Sequence, residues 1–485
     1  MQESRIVLSL IVGAITLASC SDPFPFDNTS QAPEICAASR EWLPQTPPVA
    51  MFEPLPHPAS ECPFYRGGWQ NFLIATHPDA TGAPAFLTWP NIDTMFTSTK
   101  PKVANRAVLG DIKQAGGRQI LIDQNGNPIV YGIQVNQAYA DFINKHNLKT
   151  ADAIRNADPM IFFPAGVVEL KSAWQIVEPG MPTDKWITVT TSVPTLSLDA
   201  NHNIVEDKNT PRTVTVRLLA LHVVYTLPGH PEFIWATFEH SNGTPDTKAA
   251  DGHRDVAPIH PGDVNPNLMD PEGRRDMTVV ATSDYVLYKS GTVANGANQA
   301  IAETNLTFDA TAQKFPSQQT SIYRMFPASK SNTTEPDAAI TSLNSNVEAL
   351  FAQTTLDAND KRGHYRLVGA VWMDKPGFFG LNASLQNDET SPFAQKADFV
   401  TDITAHGTDS DFSILAGEDR LSSTAMESFT QAPDSFPNCF TCHNTQAVTA
   451  KGVPLNHDAS GVKLLDPKLI NVSHVLSQFL LEESQ

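Results

Sequence analysis

The chain has 485 residues, a formal net charge of −19, 41% hydrophobic and 8% aromatic residues. This composition suits a globular body long enough for two or more domains. It argues against a nucleic-acid binder, whose surface is usually basic. An acidic surface serves solubility or steers a cationic partner.

The chain opens with Arg5 and an apolar run from Ile6 to Leu17. That run is shorter than the about 20 residues a membrane span needs, so residues 1–19 read as a signal peptide. It ends in Leu17-Ala18-Ser19-Cys20, and the choice is between a lipid-bearing Cys20 and an ordinary cleaved signal. Residues 20–61 are proline-rich, as in Leu55-Pro56-His57-Pro58, and are expected to form an extended tether.

Residues 62–400 form the expected β-rich body. Apolar residues at Val135, Tyr139, Phe142 and Ile143 have helical spacing. Alternating patterns predict strands at 166–177, 186–190, 195–205 and 213–224. Leu227-Pro228-Gly229-His230-Pro231 is a turn leading into a returning strand at Phe233 to Phe238. The polar stretch 241–276 reads as surface loop, and a further strand is expected from Val279 to Tyr288. Glu335-Pro336 opens a predicted helix with Ile340, Leu343, Val347 and Leu350 on one face. Tyr365 to Met373 reads as a buried strand. No internal repeat or heptad run is visible.

The character changes in residues 401–485. A helix is expected at Ser422 to Phe429, and a final amphipathic helix after Asp466-Pro467, packing Leu469, Val472, Val475, Leu476, Phe479 and Leu480. Between them stands Cys439-Phe440-Thr441-Cys442-His443, the attachment pattern of a c-type haem. Positions i, i+3 and i+4 share one helical face, so both thiols and the imidazole meet one planar ligand. The alternatives are a redox Cys-x-x-Cys or half a zinc site, and zinc needs two further ligands.

His443 is the expected proximal iron ligand. The motif stands close to the chain end with no methionine after it, so the opposite ligand is open. Met426 and His474 are the leading candidates, followed by His457 and Met373. An open sixth position would instead suit peroxide or oxygen chemistry. In the body, His222, Glu239 and His240 fall on neighbouring predicted strands and form a candidate metal or acid–base set if register allows. His253 and His260 read as solvated loop, and Arg324, Arg366, Lys375 and Arg420 are candidate partners for haem propionates. No phosphate loop, Gly-x-Ser-x-Gly elbow or His-Glu-x-x-His motif is present.

On the haem motif and the Leu-Ala-Ser-Cys run, which is similar to a bacterial lipobox, the chain resembles a bacterial c-type cytochrome lipoprotein. The resemblance spans under a tenth of the sequence. It implies one covalent haem c on Cys439 and Cys442 with His443 as ligand, lipid on Cys20, and no other membrane attachment. It also implies a site of work on the periplasmic side or cell surface, with Ser21 pointing to the outer membrane. Of the 5 cysteines, Cys36 and Cys62 then remain. In an oxidising compartment such a pair most often bridges, the alternative being two buried free thiols. The expected fold is α+β: an antiparallel β-rich body with a mainly helical C-terminal haem-binding region packed on it. The expected function is electron transfer to a redox partner protein, a cationic one where the acidic surface steers it, with no nucleic acid involved. A haem oxidoreductase of peroxidase or oxygenase type and a redox-sensing lipoprotein are the alternatives.

Overall fold

The computed structural model describes residues 36–43, 61–97, 109–115, 119–158, 161–227, 230–243, 280–316, 318–324, 337–353, 360–373, 415–417, 421, 423–431, 439, 443 and 468–484. Their architecture is α+β. One antiparallel sheet holds β1 (Val130–Val135), β2 (Val168–Ile176), β3 (Thr188–Leu198), β4 (Ile204–Leu227), β5 (His230–His240), β6 (Tyr365–Met373) and β7 (Leu415–Gly417). The order is β1-β2-β4-β5-β6-β7, with β3 paired to the N-terminal part of β4. The helices are α1 (Cys62–Ala75), α2 (Ile92–Met95), α3 (Gln137–Lys145), α4 (Ala151–Arg155), α5 (Ala338–Gln353) and α6 (His474–Ser484).

Most strands follow the sequence pattern, but β1 matches no expected strand. β4 is half-buried or exposed from Val205 to Thr215, where it pairs with β3, then becomes buried at every position from Val216 to Leu227. All of β5 is buried too. A strand covered on both faces gains nothing from alternation, so it reads as a continuous apolar run. The hairpin expected around Pro228 closes with Leu227 opposite His230. The strand expected at Tyr365 to Met373 is β6, and the expected helix with Ile340, Leu343 and Val347 buried is α5. Asn136 caps α3 by accepting from the Tyr139 N–H.

Cross-strand partners share a sheet face, which sorts the two sides. On one side Val223, Tyr225, Ile234, Ala236 and Phe238 join a core with Phe64, Trp69 and Phe72 of α1 and Ile340 and Leu343 of α5. Gly67 and Gly68 let α1 lie close on the sheet: a Cβ at Gly67 would stand 3.1 Å from the Tyr225 ring, and one at Gly68 3.2 Å from Ala236 Cβ. The Tyr225 hydroxyl then donates to the Phe64 carbonyl. On the other side Val224, Trp235 and Val371 pack with Tyr139, Phe142 and Ile143 of α3 and with the last helix.

Within the stretch read as a tether, residues 36–43 dock onto the body. Trp42 and Leu43 enter the first core, and the Cys36 N–H donates to Ser342 Oγ of α5. Cys36 and Cys62 stand at disulfide distance, with Cα atoms 5.6 Å apart.

Four expected elements differ. The strand expected over 195–205 is broken by a turn at 199–203, where the Asp199 N–H donates to the Asn203 carbonyl, so its two ends fall in β3 and β4. Residues 280–288 form turns instead of a strand, because the Tyr288 hydroxyl gathers this loop by accepting from the Ala281 N–H and donating to the Thr292 carbonyl. Residues 423–429 are bends and a turn, not a helix. Their polar groups bond to the sheet instead: the Thr424 N–H donates to Glu239 Oε1, and the Ala425 carbonyl accepts from the Tyr131 hydroxyl. The last helix starts later than Asp466-Pro467 suggests. A 3-10 turn over Leu469–Val472 comes first, and α6 begins at His474.

Candidate functional site

The second face of the sheet carries charged residues where an apolar face would be expected. Lys171, His222 and Thr237 are successive cross-strand partners on β2, β4 and β5. Glu169 and Glu239 lie two residues along the same face. Buried polar groups need partners, and here the C-terminal segment supplies most of them.

Glu239 holds residues 423–431 through Thr424, whose N–H and Oγ1 donate to its two oxygens at 2.8 and 2.7 Å, and pairs with Arg324 at 2.5 Å. Glu427 bridges Lys171 at 3.2 Å and His222 at 2.7 Å. The other His222 nitrogen bonds Thr237 Oγ1 at 2.8 Å, and the Lys171 ammonium also donates to the Gln114 carbonyl. Burial pushes the Glu427 carboxyl up, but His222 and Lys171 outweigh it and hold it well below the usual carboxylate range.

The start of α6 is fixed in the same way. Glu169 accepts from Ser473 Oγ at 2.7 Å and from the His474 N–H at 2.9 Å. The Tyr139 hydroxyl meets Ser473 Oγ at 2.7 Å. Burial raises the Glu169 carboxyl to about 7, against the lowering effect of the donors from Ser473, His474 and Val475. A turn earlier, the Lys468 ammonium donates to the Ile154 and Arg155 carbonyls at the end of α4. A cation placed there suits exposed helix carbonyls. The six apolar residues expected to pack on this segment, from Leu469 to Leu480, are all buried.

Between these anchors two imidazoles meet. The His443 and His474 rings lie with centroids 5.0 Å apart at 66°. Trp235 stacks on His443 at 4.6 Å and 20°. The His443 N–H donates to the Cys439 carbonyl at 2.9 Å, the i to i+4 bond that an α-helical turn makes. Cys439 is half-buried against the apolar core that contains Trp235 and α6. Burial, with Lys171 adding, drives His443 down to about 3, and burial beside His443 drives His474 well below its usual value. Both rings are therefore neutral and available as ligands. His474 Nε2 is buried and has no hydrogen-bond partner.

Of the other expected residues, Met426 is fully buried in an adjoining cluster with Tyr131, Ala173, Leu219 and Ile322. Met373 ends β6. Cys20, Cys442, His253, His260, His457, Lys375 and Arg420 lie outside the described residues. The set of His222, Glu239 and His240 does not assemble. His222 bonds Glu427, Glu239 bonds Arg324 and Thr424, and His240 stacks on Trp186 at 3.4 Å while Nε2 bonds the Lys185 carbonyl. His240 is driven down to about 3, chiefly by burial. Among the described residues no group of three or more His, Cys, Asp or Glu side chains is placed to hold a metal ion. No helix among them is long and apolar enough to cross a membrane. Arg324 is committed to Glu239.

The residues that sequence patterns did not single out are Glu169, Lys171, Trp235, Glu427 and Lys468. Glu169 and Lys171 did leave a signal: two charges at i and i+2 inside the apolar strand Val168 to Ile176 share a face.

Comparison with protein-family models, with the curated proteins and with solved structures finds no match to this chain.

Proposed function

We propose that the chain is an exported monohaem c-type cytochrome that transfers electrons. Cys439 and Cys442 would bond the haem, and His443 and His474 would ligate its iron from opposite sides. The observation that carries the reading is a pair of half-buried imidazoles in edge-on contact, one on the haem-attachment motif and the other with a buried, orphaned Nε2. A buried polar atom without a partner costs about 1–3 kcal/mol, and a bond from that nitrogen to iron removes the cost. The donor set fits the group: the motif supplies two thiols and a histidine, a second histidine ring lies 5.0 Å from the first, and Cys439 packs against the apolar cluster of Trp235, Val472 and Val475.

A bound haem supplies reversible one-electron chemistry whose potential depends on axial ligands, burial and nearby charge. The chain's own groups do the rest. Trp235 backs the His443 ring, Glu169 seats the residue that bears the second ring, and Lys171 with Glu427 places a compensated charge pair nearby. Were His443 and His474 both to hold the iron, no position would remain for peroxide or oxygen, which favours simple electron transfer. Lipid on Cys20 would anchor the protein, by resemblance at the outer membrane. The net charge of −19 suits a cationic redox partner.

The test is the absorption spectrum of purified ferric and ferrous protein, with and without carbon monoxide, for wild type, His474→Ala and Met426→Ala. The expected result is a low-spin spectrum unmoved by carbon monoxide in wild type and Met426→Ala, and a high-spin, carbon-monoxide-binding form in His474→Ala. A response confined to Met426→Ala would move the sixth ligand to methionine. A high-spin wild type that binds carbon monoxide would favour the oxidoreductase reading, and protein without covalent haem would remove both.

A further inference from the structure

The reading above leaves open why a histidine at the first position of a short C-terminal helix should hold a fixed place against iron. A helix of this length is marginal on its own, and its first turn has unsatisfied N–H groups. The sheet answers both problems at one residue. Glu169 lies on β2, far from α6 in sequence, and is 2% exposed. One of its oxygens takes the His474 N–H at 2.9 Å, and the other takes Ser473 Oγ at 2.7 Å. Ser473 Oγ also accepts from the Leu476 N–H at 3.3 Å, which makes Ser473 the helix cap. The Tyr139 hydroxyl on α3 meets the same oxygen at 2.7 Å. A strand, a neighbouring helix and the first turn of α6 therefore converge on two adjacent residues, Ser473 and His474.

The apolar face of α6 does not set this position alone. Val475, Leu476, Phe479 and Leu480 pack against a broad surface that includes Phe96, stacked on Phe479 at 4.4 Å. Such packing holds a helix down but tolerates small shifts along its axis. Two hydrogen bonds from one carboxylate to consecutive residues fix both the axial position and the rotation of the first turn. An outer residue that orients a metal-bound histidine usually bonds the ring's second nitrogen. Here the orienting contact goes to the backbone of the histidine itself.

We infer that Glu169, acting through Ser473 and the His474 backbone, is the positioning residue that presents His474 to the iron. The inference rests on the proposed histidine pair. Glu169 touches neither iron nor haem in this scheme. Its removal lets the first turn of α6 drift while the apolar face remains docked, and the sixth ligand is lost without loss of the fold.

The experiment uses the full-length, haem-loaded protein and reads the spin state. Glu169→Ala is expected to convert most of the ferric spectrum from low-spin to high-spin, to make the ferrous form bind carbon monoxide, and so to match His474→Ala. Added imidazole should restore the low-spin spectrum in both variants. Glu169→Gln, which keeps an acceptor for the His474 N–H, should retain most of the low-spin form. Ser473→Ala should fall between the two. A Glu169→Ala protein with a wild-type spectrum and only a lowered melting temperature would overturn the inference and leave Glu169 a structural residue. If Glu169→Ala fails to fold, Ser473→Ala decides: an unchanged low-spin spectrum there overturns the inference. Failure of the underlying reading shows separately, as a His474→Ala spectrum identical to wild type.

Discussion

Trp235 stacks on His443 with ring centroids 4.6 Å apart, so a central strand of the sheet bears directly on the histidine of the Cys-x-x-Cys-His motif. Trp235 is 4% exposed and also meets Phe233 edge-on. Removing a buried tryptophan to alanine costs about 3–5 kcal/mol. Trp235→Ala should lose that much in urea unfolding, while Trp235→Phe, which keeps an aromatic face, should lose well under half. The haem spectrum adds a second check, since a freed His443 ring should broaden the electron paramagnetic resonance signal of the ferric protein. A Trp235→Ala variant as stable as wild type would show that the stack does not support the site.

The bridging carboxylate of Glu427 makes a different prediction. It stands between Lys171 and His222, and its side chain is 39% exposed. Glu427→Gln removes the negative charge between Lys171 and His222 and leaves the Lys171 ammonium the Gln114 carbonyl, the Tyr131 ring at 5.9 Å and a neutral amide oxygen. The expected cost is about 1–2 kcal/mol, the lower part of the range for a partner removed from a buried polar group, because water still reaches the site. Coupling gives the sharper measurement. Lys171→Met should cost less in the Glu427→Gln background than in wild type, as contacting charges require. Additive costs would mean the pair contributes no interaction of its own.

Most of the sheet is legible in the sequence, β1 excepted, and the C-terminal segment only in part. Partial alternation marks β3 and the 213–224 part of β4, and apolar runs mark β5 from Phe233 onward and all of β6. These are local properties of a strand. The residues around Met426 have apolar spacing that suits a helix, but their backbone partners are Glu239 and Tyr131, hundreds of residues away. Such bonds override local propensity and leave no trace in a short window. Met426 and His474 were equally eligible ligands for the same reason. Sequence spacing shows that each is apolar in context, while only the antiparallel register of β2, β4 and β5 decides that Trp235 and Glu169 bring α6 to the motif. The motif turn was legible because all its geometry lies within five residues.

The Cys36–Cys62 pair ties the docked segment with Trp42 to the first turn of α1. The two cysteines are 26 residues apart in sequence, and closing a loop of that size is worth about 3 kcal/mol through the unfolded chain. The Cys36→Ser/Cys62→Ser variant should therefore unfold at lower urea concentration, and dithiothreitol should lower the stability of wild type but not of the variant. The haem spectrum should stay unchanged, because the segment packs on the α1 and α5 side of the sheet, opposite His443. A loss of low-spin character on reduction of this disulfide would show that the two faces are coupled.

Glu206 provides a pH dependence remote from the proposed haem. Its Oε1 accepts from the Ile112 N–H at 2.5 Å, and burial, reinforced by nearby Asp111, raises the carboxyl from 4.5 to about 7. The folded state thus binds this proton more tightly than the unfolded chain does. The contribution is fully present below about 4.5 and is lost as pH rises through about 7, so this group makes the protein less stable at pH 8 than at pH 5. Glu206→Gln keeps an acceptor for the Ile112 N–H and cannot ionise. Urea midpoints measured from pH 5 to pH 8 should converge for the two proteins at the acid end, with the variant ahead of wild type at pH 8. Parallel curves over that range would show that Glu206 ionises in the folded protein as freely as in the unfolded chain.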